Sequence, residues 1–175
     1  METAHPLAAW ESYYVIVGTS GAALIGMQFV VMTLIADRRN LAAGDTIKAF
    51  GSPTVVHLTV ALVISAAMSA PWTTLAPAGI AMLLCGLSGL TYAALVIYRT
   101  RKQTTYVPVW QDWVWYAMLP SITYLALSVS AWLLNTNTEA ALFTIAAVAL
   151  VLILIGVHNA WDSITHIVVG GADHA

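Results

Sequence analysis

His158, Asn159, Asp162 and His166 close the last apolar run of the chain, ALFTIAAVALVLILIGVHNAWDSITHIVVG. On a helix that advances 100° per residue, His158, Asp162 and His166 step by only ~40°, and Asn159 lies ~100° from His158. The spacing predicts imidazole, amide and carboxylate on one face, with a row of small residues (Ala149, Gly156, Ala160, Ser163) roughly opposite for another helix to approach. Two more polar groups sit inside apolar segments, His57 and Gln28.

Three chemistries fit these residues. A carboxylate between two imidazoles forms a ladder that titrates near neutral pH, suited to passing protons or lining the mouth of a cation-attracting pore. His57 and His158, at similar depth on different helices, match the axial pair of a haem b. His158, Asp162 and His166 present N and O ligands for a divalent transition metal, with His57 available to complete the set, although no HExxH accompanies them. The plain alternatives are a wet helix end for Asp162 and His166, a hydrogen-bonded core histidine for His57, interhelical glue for Gln28, and a helix cap for Asp112.

Helices must position these groups, and the composition says in what solvent. The chain has 175 residues, 60% hydrophobic and 8% charged, with mean hydropathy +0.83. Too few charges exist to cover a water-soluble domain, so lipid is the expected surroundings. A net charge of −2 offers no footprint for nucleic acid. The lone Cys85 excludes an intramolecular disulfide, a CxxC pair and covalent haem attachment. The opening METAHPLAAWESYY lacks the basic region of a cleavable leader, so the first helix is expected to stay. No GxSxG, P-loop or dinucleotide fingerprint is present, and hydrolase chemistry is not indicated.

Hydropathy predicts an all-α, polytopic integral membrane protein: one transmembrane domain, 1–175, of five helices at about 12–36, 53–70, 78–98, 113–134 and 140–169. Residues 49–98 hold no charge, twice the length of one span, and break at the Pro71 to Pro77 stretch. Small residues predict close helix contacts along Gly18, Ala22 and Gly26, along Ala61, Ser65 and Ser69, and along Gly86, Gly89 and Ala93. Trp10, Tyr13, Tyr14 and the tryptophans 110, 113 and 115 read as interfacial, and Pro120 as a bend.

All six Lys and Arg fall in the first and third connections. The positive-inside rule then places the N-terminus outside and the C-terminus in the cytoplasm, in a multi-pass protein of the cytoplasmic membrane. The resulting reading is a channel or transporter for ions or protons. Its pore lies on the axis of a homo-oligomer, and its inner site is His57, His158, Asp162 and His166, helped by Asn159 and Gln28. A haem- or metal-binding redox protein and an accessory subunit of a larger membrane complex are the competing readings.

Overall fold

A computed structural model of the chain describes residues 6–39, 43–102 and 109–170, with side chains described at 6–34, 53–102 and 109–165. Among these residues all regular structure is helical. A single 3₁₀ turn, Ala8–Trp10, leads into α1 (Glu11–Arg39). Then come α2 (Ala43–Met68), α3 (Leu75–Lys102), α4 (Trp110–Leu133) and α5 (Thr138–Gly170). Four helices carry runs long and apolar enough to cross a membrane: Ala8–Leu34, Leu75–Lys102, Trp110–Leu133 and Thr138–Thr165. In α2 the described apolar part, Pro53–Met68, is shorter.

Prolines mark two departures from a plain reading of the helices. The sequence predicts that Pro53 opens the second helix, yet α2 begins ten residues earlier and carries Pro53 in its interior. A proline there removes one N–H and leaves one carbonyl without its in-helix donor, a loss that packing against neighbouring helices offsets. In α4, where Pro120 leads one to expect a bend, the structure shows a change of winding. Residues Trp113–Met118 wind as a π-helix immediately before Pro120, widening the turn where the proline ring would crowd it.

The helices are arranged with α5 in the middle. It packs against α2 on one side and α4 on the other, while α1 covers α2 and α3 covers α4. Tyr13 Oη donates to the Ala146 carbonyl (2.7 Å), and Trp10 meets Phe143 edge to face, so α1 and α5 start at the same end. The opposite end carries Arg99, Arg101 and Lys102 and is called the basic end below. There Arg101 lies 5.9 Å from the Trp113 ring and Lys102 4.5 Å from Tyr98, the cation–aromatic belt of an interface. Trp110 is exposed as anticipated, but Tyr14, read as interfacial, is fully buried in the core.

Glycines set the closest approaches. The Tyr124 ring of α4 lies directly on Gly89, and Ser128 on Gly86, where no side chain would fit. Gly18 faces Ser65, Gly21 faces the Leu58 carbonyl, and Gly156 faces Leu58 and the Thr54 carbonyl. The α3 seam of Gly86, Gly89 and Ala93 is buried as its spacing implies. On α1 the seam runs through Gly18 and Gly21 instead; Ala22 and Gly26 are exposed, and a Cβ at Gly26 would meet nothing within 4 Å. Ser69 is likewise exposed, outside the Ala61–Ser65 seam.

The outside of the bundle is apolar and the inside partly polar. Ile16, Phe29, Ile80, Leu84, Ile122, Leu125, Phe143 and Leu154 are exposed, whereas Gln28, Thr54, His57, Ser65, Thr123, Ser128 and Asn159 are buried. In water that distribution would be costly; in lipid it is the expected one.

Candidate functional site

The polar residues gather toward the basic end, on four of the helices, but they do not form one ladder. His57 on α2 is 2% exposed. Its Nδ1 lies 2.8 Å from the Tyr124 hydroxyl of α4, and its ring meets Tyr92 of α3 at right angles, 6.1 Å between centroids. With the tyrosine donating, the imidazole proton sits on Nε2. The pair ties α2 to α4 across the core, and Gly89 makes room for the phenol ring.

His158 on α5 has a different partner. Its ring lies flat against Trp115 of the π-helical turn, centroids 3.7 Å apart and planes 8° from parallel. One residue along that turn, Tyr116 donates to Asp162 Oδ2 at 3.0 Å. Asp162 itself is exposed. The π-helical turn of α4 thus aims two successive side chains at two residues one turn apart on α5, an offset that its wider winding makes possible.

Asn159 departs from its expected place. It is fully buried and follows the stripe Ile145, Ala149, Leu152, Gly156 and Ser163, the packing face of α5, rather than the face of exposed Asp162. The reason is its position in the i, i+3, i+4 series with those residues. Both its side-chain oxygen and nitrogen lack hydrogen-bond partners. So do Thr54 Oγ1 and His158 Nδ1 and, near the start of α1, the Tyr14 hydroxyl. Gln28 on α1 is buried, 5% exposed.

His166 belongs to α5, but its side chain lies outside the described residues. Among the described residues no three His, Cys, Asp or Glu are grouped closely enough to hold a metal ion. His57 and His158 face separate aromatic rings: Tyr124 takes the Nδ1 of His57, and Trp115 covers one face of the His158 ring. Asp112 accepts the Val109 N–H at 2.9 Å, the capping role open to an acidic residue in a first turn.

Sequence reasoning missed the aromatic partners. Trp115 reads there as interfacial and Tyr92, Tyr116 and Tyr124 are not singled out; each belongs to a helix distant in sequence from the histidine or carboxylate it meets. Cross-helix pairing leaves no trace in local spacing, although a tyrosine buried in an apolar span needs a partner for its hydroxyl and so invites the search.

No family model, no curated protein and no solved structure matches the chain.

Proposed function

We propose that the protein is a five-span membrane protein conducting protons or small cations, working as a homo-oligomer in the cytoplasmic membrane. Its N-terminus is outside and its basic end inside the cell. α2 supplies the fifth span: its uncharged part, 49–68, reaches ~30 Å at 1.5 Å per residue, the thickness of the hydrocarbon core.

One observation carries this reading. Thr54, His158 and Asn159 hold buried polar atoms without partners, in the same half of a bundle whose outer surface is apolar. A polar group orphaned in such surroundings costs on the order of 1–3 kcal/mol. Several together, beside the His57–Tyr124 and Tyr116–Asp162 pairs, are understood if water or an ion visits them. Asp162, exposed at the basic end, then serves as the cation-attracting entrance, and His57, His158 and His166 as groups able to exchange protons. Exposed Ala22 and Gly26 on α1 leave a strip where a second copy can approach closely.

Flux into proteoliposomes tests the proposal. Wild-type protein should carry H⁺, Na⁺ or K⁺ above the empty-vesicle rate, and Asp162→Asn with His57→Gln should abolish the excess. Wild-type flux equal to that of empty vesicles removes conduction. Co-purification with a larger complex would then put an accessory role in its place.

A further inference from the structure

We infer that Gln28, Thr54 and Asn159 form a binding site for a partly dehydrated monovalent cation where α1, α2 and α5 meet. The site's role as a transport station rests on the conduction reading; its existence does not.

Helix register brings the three together. On α1, Gly18 lies against Ser65 and Gly21 against Leu58 and Leu62 of antiparallel α2. Two turns further along α1, Gln28 therefore falls opposite the turn of α2 that contains Thr54. On α5, Gly156 lies against Leu58 and the Thr54 carbonyl. Asn159, three residues on, falls opposite that same turn. Gln28 is 5% exposed and the other two are fully buried.

Thr54 differs from the other buried serine and threonine hydroxyls. Ser65, Thr123, Ser128, Ser130 and Ser163 all donate to the carbonyl four residues back in their own helix, at 2.7 to 2.9 Å. Thr54 makes no such bond and has no partner. Packing glue would behave like the other five. The Asn159 amide is unpartnered at both ends, although interhelical glue is expected to bond across to its neighbour.

The ligand chemistry follows from the donor set. Hydroxyl and amide oxygens are hard and neutral, the kind that replace the hydration shell of an alkali ion. A divalent cation would draw on carboxylates. Asp162 is exposed and bonded to Tyr116, outside the buried stripe that carries Asn159. Pro53, next to Thr54, adds a further oxygen nearby, because the carbonyl of Ala49 has no proline N–H to accept from. Irregular backbone beside a polar site is how spanning helices expose carbonyls to ions.

Thermal unfolding of the detergent-purified full chain tests the site, in LiCl, NaCl, KCl or CsCl against choline chloride at equal ionic strength. At least one alkali chloride should raise Tm by ~3 °C or more in the wild type. Thr54→Val and Asn159→Leu should lose that rise. Their Tm in choline chloride should equal or exceed the wild-type value, since each removes an unpaired buried polar group. If Asn159→Leu fails to fold, the near-isosteric Thr54→Val and Gln28→Leu carry the test. Equal Tm in every salt for the wild type overturns the site, as does a rise that survives in the variants. A cation-dependent Tm without flux keeps the site and removes conduction. Flux without a cation-dependent Tm does the reverse.

Discussion

The imidazole of His57 and the phenol of Tyr124 are joined at 2.8 Å across 67 positions of chain, binding α2 to α4. Tyr124→Phe keeps the ring against Gly89 but leaves a buried nitrogen unpaired. The variant should lose about 1–3 kcal/mol, the penalty for orphaning one buried group. Chemical or thermal unfolding in detergent measures it. Replacing both residues, His57→Leu with Tyr124→Phe, should cost less than the sum of the single changes; strict additivity would mean the two groups are not coupled.

Glycine substitutions should separate by place. Gly86→Ala and Gly89→Ala put a methyl group into Ser128 and the Tyr124 ring, so each should destabilise by about 1–3 kcal/mol or more. Gly26→Ala meets nothing within the protomer, so the fold of the single chain should be unaffected or stabilised by up to about 1 kcal/mol through helix propensity. Equal Tm values for Gly26→Ala and Gly89→Ala would contradict the α3–α4 packing.

Stability and transport should part company at Tyr116 and Asp162. Because Asp162 is exposed, Tyr116→Phe should change stability by less than about 1 kcal/mol. Asp162→Asn should leave Tm near the wild-type value while cutting cation flux at least ~10-fold, as expected for an entrance charge. A large Tm loss in Asp162→Asn with unaltered flux would assign the residue to structure instead.

Topology can be read from single cysteines in a Cys85→Ser background. Ser12, Thr73, Arg101 and Asn135 are all exposed at helix ends or in turns. In intact cells an impermeant maleimide should label cysteine at 12, 73 and 135, and at 101 only after lysis. If α2 failed to cross, positions 12 and 73 would label from opposite sides.

How far the sequence alone carries is visible in particular residues. Runs of uncharged residues locate α1, α3, α4 and α5 to within a few positions, because the length of a span is set by bilayer thickness. Pro53 misleads about α2, since a helix supported by neighbours tolerates what an isolated one does not. The facing of Asn159 was available in its spacing from Ala149, Leu152 and Gly156, a stripe that outranks the polar row drawn through His158 and Asp162. The π-helical turn and its two aims, Trp115 at His158 and Tyr116 at Asp162, have no periodic signature. They arise from proline relief and tertiary contact together.

The central position of α5 has a bearing on assembly. The two flanking pairs, α1 with α2 and α3 with α4, are each made of consecutive helices and can zip up while the ribosome is still at work. The wall that both pairs share is made last. Until α5 slides between them, the faces of α2 and α4 that it later covers are open to lipid or to a quality-control protease. The slowest event in maturation should be the arrival of this final rod, and substitutions along its seam should lower cellular abundance before they alter the behaviour of molecules that complete the bundle.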